Sequence, residues 1–200
     1  MKRTQKFRIF RIFPNNPPLL LACLFLFAGC RQYTQSGSIK KDEVWKNKVL
    51  LKGDIVVEEG VTLSILPGCE IRYFSGKPVN QTHYIRNTAM GSMDVLQDER
   101  IEIVVEGKLE AAGEPKKKIR FTGGKNSGGI LFLSRTPGSK LTWAGFGDMP
   151  IALRCYGEAS PDLENLDISD CVLGGIGLWD TASPLIKNCS IKNCGHGIGA

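Results

Sequence analysis

Acidic residues are missing from the first 29 positions, where Lys2, Arg3, Lys6, Arg8 and Arg11 stand alone as charges. Without those five, 21 of the 26 basic groups remain against 20 acidic ones, so the formal net charge of +6 belongs almost wholly to the N-terminus. A chain nearly neutral over the rest of its length lacks the basic surplus that displaces counterions from a polyanion, and no nucleic-acid partner is expected. No apolar run reaches the roughly 20 residues that a membrane-spanning helix needs. Histidine is confined to His83 and His196, too few for a histidine-rich metal surface. Beyond Cys30 the cysteines are Cys69, Cys155, Cys171, Cys189 and Cys194, an odd number with no CxxC spacing. That excludes a fully paired disulfide framework and a zinc cluster, and neither metal nor cofactor is expected. Apolar residues at i, i+3, i+4 and i+7 are also missing over any three turns of the mature chain, so almost no helix is predicted.

What is there begins with an export signal. The charged N-terminus ends in Pro17-Pro18 and runs into Leu19–Gly29 (LLLACLFLFAG), an apolar stretch too short to span a bilayer but of signal-peptide length. The junction Phe27-Ala28-Gly29-Cys30 resembles the bacterial lipobox, with Phe27 where leucine is usual. That resemblance implies that Cys30 carries the lipid and becomes the mature N-terminus, held in a membrane by more than one acyl chain. The competing reading leaves Cys30 an ordinary residue beside a standard cleavage site. Residues 1–29 are thus read as a lipoprotein signal peptide and 30–43 as a polar tether. The folded part is 44–200.

Glycine is abundant, at 23 of 200, and marks turns rather than helix interiors. Between those turns the chain alternates. Ile55 and Val57 lie across from Val56 and Glu58; Val61, Leu63 and Ile65 share a face after the Glu59-Gly60 turn; Ile71 and Tyr73 follow Pro67-Gly68. Ile101, Ile103, Val105, Leu109, Ile119 and Phe121 repeat the pattern. Residues 75–100 are polar and aperiodic, a long excursion between strand groups.

The C-terminal third repeats. SPDLENLDISDC at 160–171 aligns with SPLIKNCSIKNC at 183–194, an offset of 23. Ser160, Pro161, Asn165, Ile168 and Cys171 recur as Ser183, Pro184, Asn188, Ile191 and Cys194, with Leu163 against Ile186 and Leu166 against Cys189. A fainter echo sets Ile151 against Ile176. Periods of 20–50 residues indicate stacked repeats, and strands without helix exclude the helical kinds.

With GDIVVEEGVTLSILPGCEIRY, IVVEGKLEAAGEPKKKIRFTGG, GGILF and SPLIKNCSIKNCGHGI, the chain resembles the right-handed parallel β-helix of pectin-lyase-like proteins over roughly residues 45–200. The fold class implied is an all-β, right-handed parallel β-helix solenoid. Each turn would stack on the last at roughly 4.8 Å, burying inward ladders such as Leu163 under Ile186. Asn165 and Asn188 would form a ladder at a left-handed turn. A cap is expected around Val44-Trp45 and further turns beyond residue 200, since the sequence stops within a turn. Cys171 would lie under Cys194, close enough for a disulfide or for two packed thiols.

Residues that could carry chemistry are few. Gly195-His196-Gly197 resembles a polygalacturonase segment, and Asp170-Cys171 resembles part of the paired-aspartate segment, but Ser169 stands where the second acid belongs. Arg135-Thr136-Pro137-Gly138-Ser139-Lys140 has the spacing of a pectate-lyase segment, with lysine last, and reads equally as a Pro-Gly turn. The catalytic candidates are therefore Asp170, Asp180 and His196. Trp179, beside Asp180 near a turn, is the candidate for stacking on a sugar ring, with Trp143 and Phe146 joining it if they face outward. The expected function is a non-enzymatic scaffold, anchored by lipid in the bacterial cell envelope, facing the periplasm or exterior and binding polysaccharide or another envelope component. A polysaccharide-active hydrolase or lyase, its site mostly beyond residue 200, is the alternative. Kinship with β-helix proteins that assist copper-enzyme maturation is a third, opposed by the scarcity of histidine.

Overall fold

The computed structural model describes residues 32–79, 100–133 and 138–200; Cys30, His83 and Arg135 lie outside them. Among the described residues every regular element is a strand. The strands form two sheets, and every pairing between them is parallel.

The smaller sheet holds β2 (Glu43–Trp45), β4 (Thr62–Ile65), β7 (Lys108–Ala112), β10 (Lys140–Thr142), β12 (Asp162–Glu164) and β14 (Leu185–Lys187), stacked in chain order. The larger holds β1 (Gln32–Ile39), β3 (Lys48–Val57), β5 (Glu70–Tyr73), β6 (Ile101–Val105), β8 (Ile119–Thr122) and β9 (Ser127–Leu133). It continues with β11 (Ala144–Tyr156), β13 (Asp167–Leu178), β15 (Ser190–Lys192) and β16 (Ile198–Gly199). Parallel neighbours need a crossover, commonly a helix. Here the crossover is a strand of the other sheet: β12 and β14 join successive members of the larger sheet.

The long strands bend, and their two halves pair with different partners. The first half of β11 pairs with β8 and its second half with β9. One turn of chain therefore offers three short strand segments, each on its own face. Every face carries an inward ladder, buried as far as Leu163, Ile168 and Ile176 and more exposed at the last member. Ile65, Ala111, Leu141, Leu163 and Ile186 align in the smaller sheet. Val49, Ile71, Phe121, Phe146, Ile168 and Ile191 align on the second face. Ile55, Ile103, Ile130, Leu153, Ile176 and Ile198 align on the third. Phe121 and Phe146 stack with ring centres 4.5 Å apart and planes 2° apart.

Single left-handed residues turn the corners. Trp143 (φ 48°), Asn165 (55°) and Asn188 (51°) each follow a strand of the smaller sheet, and Asp148 (56°), Asp170 (57°) and Asn193 (52°) mark the bends one corner on. Asn and Asp occupy most of these positions because their short polar side chains tolerate φ > 0. The left-handed turn expected at Asn165 and Asn188 is present. At the next bend a side-chain bond links two turns, with Asn193 Nδ2 donating to Asp170 Oδ1 at 3.3 Å.

Two expectations need correction. The stretch 30–43 is not a free tether: β1 pairs with β3 along its length, and Ile39 is buried. Its polar composition hid a strand because an end strand leaves much of its surface to solvent. Trp45 closes the same end, buried at 2 % exposure, its Nε1 donating to Glu43 Oε1 at 2.7 Å. The fainter echo lies two residues off the register that the sequence suggests: Ile151 pairs with Gly174 and Leu153 with Ile176. A register shift after Met149, which pairs with Cys171, adds a residue to β13 there. Of the excursion at 75–100, only 75–79 and 100 fall within the described residues.

Candidate functional site

The third face is unlike the others on its outer side. Val56, Val104 and Leu131 alternate with the inward ladder and so point outward, yet all are buried in a second apolar cluster with Tyr156. Arg154 continues their row, paired to Leu131 on one side and to Gly177 on the other. An arginine in a buried row needs a partner, and Glu102 supplies it: the guanidinium and carboxylate form an ion pair with side chains only 9 % and 13 % exposed. Arg154 Nη2 also donates to the Gly128 carbonyl at 3.2 Å.

Glycine makes this reach across a strand feasible. Gly128 lies in β9, between β6 and β11, and a Cβ there would come within 2.4 Å of Glu102 Cγ. Asp54 Oδ1 accepts a 3.0 Å bond from the Glu102 amide, and Tyr73 Oη donates to the Gly129 carbonyl at 3.1 Å. Burial raises both Tyr73 and Tyr156 above the ordinary phenol range. For Tyr156 the Arg154 charge and hydrogen bond work against that rise. Both phenols are therefore neutral hydroxyls at neutral pH, able to hydrogen-bond but not to serve as bases.

Trp179 completes the cluster. Its indole stacks on the Tyr156 ring, centres 4.4 Å apart and planes 7° apart, and remains partly exposed. Asp180 follows in a left-handed turn (φ 58°), and its charge acts on the Tyr156 phenol. Tyr156 thus stands between the Trp179–Asp180 pair expected from the sequence and a buried ion pair that the sequence reading missed. A signal existed in the strand Ile151-Ala-Leu-Arg-Cys-Tyr156, where Arg154 sits among apolar neighbours with no acid inside the strand segment.

The remaining candidates lie elsewhere. Asp170 and His196 share the bend before β13's second half, where the His196 carbonyl accepts from the Gly175 amide at 2.9 Å. Asp180 lies at that half's far end, so the three do not converge. Asp170 is turned to Asn193. Trp143 and Phe146 do not join Trp179: Phe146 faces the core, and Trp143 sits under Lys118, whose Nζ is 5.7 Å from the ring centre and pairs with Asp167. Among the described residues no group of three or more His, Cys, Asp or Glu is arranged to hold a metal ion. A small cleft lies at the other end of the stack, lined by Gln35, Glu43, Val44, Trp45, Lys46 and Val49.

No protein-family model matches the chain, and neither the curated proteins nor the solved structures contain a match.

Proposed function

We propose that this chain is a non-enzymatic, glycan-binding scaffold of the bacterial envelope, a right-handed parallel β-helix held to a membrane through lipid on Cys30. The stacking of parallel strands at intervals of 22 and 23 residues, as in Lys140 to Asp162 to Leu185, supports the solenoid reading. The observation that carries the binding role is the Trp179 indole, laid flat on an outer face beside fixed charges. A sugar ring offers an apolar face of C–H groups and a rim of hydroxyls. An indole accepts the first, while the exposed Asp180 carboxylate suits the second.

A rigid face of stacked strands positions such a platform without a closing loop. Positioning is what a binding module requires, whereas hydrolysis requires two carboxyl groups set on either side of a bond. Affinity electrophoresis in gels containing polygalacturonate, pectin or alginate tests the reading. Retardation by one of them, abolished by Trp179→Ala, is the expected outcome; equal mobility in all gels counts against it. For the anchor, Cys30→Ala should move the protein from the membrane to the soluble fraction, and unchanged fractionation counts against lipidation.

A further inference from the structure

We infer that Cys171 and Cys194 are a disulfide-forming pair that closes one turn of chain onto the next when a thiol–disulfide oxidant of the glutathione type is present. The two occupy the same position on successive turns, and the contacts on both sides of them hold that register. Before them, Asn193 Nδ2 bonds Asp170 Oδ1 at 3.3 Å; after them, the Gly195 amide bonds the Cys171 carbonyl at 3.0 Å. The thiols are free: Cys171 Sγ donates to the Ser169 carbonyl at 3.5 Å and Cys194 Sγ to the Lys192 carbonyl at 3.2 Å, so each needs only a rotation of its own side chain to meet the other. Strand spacing of about 4.8 Å falls within the Cα separation that disulfides adopt.

The other thiols are placed differently. Cys69 and Cys155 are buried, and Cys189 falls opposite Leu166 of the preceding turn rather than opposite a thiol, the Ser190 amide bonding the Leu166 carbonyl at 2.8 Å. Cys194 is partly exposed and Cys171 is not, which sets the order of events. The Cys194 thiolate attacks oxidised glutathione, breaking its S–S bond and releasing one glutathione thiolate that takes up a proton. Cys171 then loses its proton and attacks the Cys194 sulfur of the mixed disulfide, and the second glutathione leaves as a thiol. Two protein thiols are oxidised and one glutathione disulfide is reduced. Burial, aided by the neighbouring Cys194, pushes the Cys171 thiol up to about 12, so the second step quickens as pH rises.

The test is peptide mapping of the folded full chain after incubation with oxidised glutathione and alkylation of the remaining thiols. The expected result is a linked peptide joining Cys171 to Cys194, with Cys69 and Cys155 alkylated only after unfolding. Cys171→Ser should trap glutathione on Cys194, and Cys194→Ser should leave Cys171 reduced. Cys189→Ser, a neighbouring control, should leave the link intact. A link from Cys194 to Cys189 would overturn the inference. So would wild-type protein that retains glutathione on Cys194, or that stays reduced while the urea-unfolded chain is oxidised.

Discussion

Trp179 rests on Tyr156 because Gly177 has no side chain. A Cβ at Gly177 would lie 2.2 Å from Trp179 Cη2 and 2.4 Å from Cζ3, so the indole occupies the space a larger residue would fill. Gly177→Ala should therefore lift the ring from Tyr156 while β13 keeps its pairing. Near-UV circular dichroism, which senses coupled aromatic rings, should change with the far-UV spectrum intact. An unchanged near-UV spectrum would mean that the ring does not depend on this contact.

The Glu102–Arg154 pair should be asymmetric under mutation. Removing one partner leaves a charge in a site with side chains 9 % and 13 % exposed, at a cost of about 3–5 kcal/mol. Replacing both by neutral groups removes the stranded charge as well as the attraction. Urea unfolding of Arg154→Met, Glu102→Gln and the double variant should show less loss in the double than the two singles sum to. Additive losses would indicate that the groups act independently.

Much of the stack was legible because inward ladders keep strict alternation. Ile55 and Val57, Leu63 and Ile65, and Ile71 and Tyr73 all fall as the pattern indicates. Asn165 and Asn188 advertised their left-handed corners through residue type as well as spacing. What stayed hidden had no local signature. Glu102 and Arg154 are 52 positions apart and meet only because β6, β9 and β11 are neighbours. β1 carries few apolar residues, so its pairing to β3 comes from backbone bonds that alternation does not report. Trp179 was recognisable as an aromatic near a turn, but its partner Tyr156 depends on the register shift beyond Met149.

Charge insertion should act locally along the stack. Ile168 is 1 % exposed between Phe146 and Ile191, whereas Ile191 is only partly buried on β15. Ile168→Asp should therefore destabilise far more than Ile191→Asp, since an unpaired carboxylate costs several kcal/mol only where water is excluded. Limited proteolysis of Ile191→Asp should open sites near residues 185–200 and leave 48–73 protected, because turns contact mainly their neighbours. Uniform loss of protection would contradict that independence.

Reduced protein should weaken in alkali. Burial pushes Cys69 up to about 11 and Cys155 up to about 12 from an ordinary 9.0, and Cys171 likewise to about 12. Between pH 9 and about 12 the unfolded chain has released these protons while the native chain still holds them. The stability contributed is fully present below pH 9 and is lost as pH climbs through the native values. Urea midpoints should fall over that window, and Cys155→Ala should flatten the fall; a pH-independent midpoint would contradict the burial of these thiols.

Binding without turnover is most directly tested by isothermal titration calorimetry of the purified chain with polygalacturonate, pectin and alginate. For at least one polymer the expected trace is a series of heat pulses that return to baseline and shrink to saturation, absent in Trp179→Ala. A baseline displaced in proportion to protein concentration, and restored by His196→Ala or Asp170→Asn, would reveal turnover and contradict the scaffold.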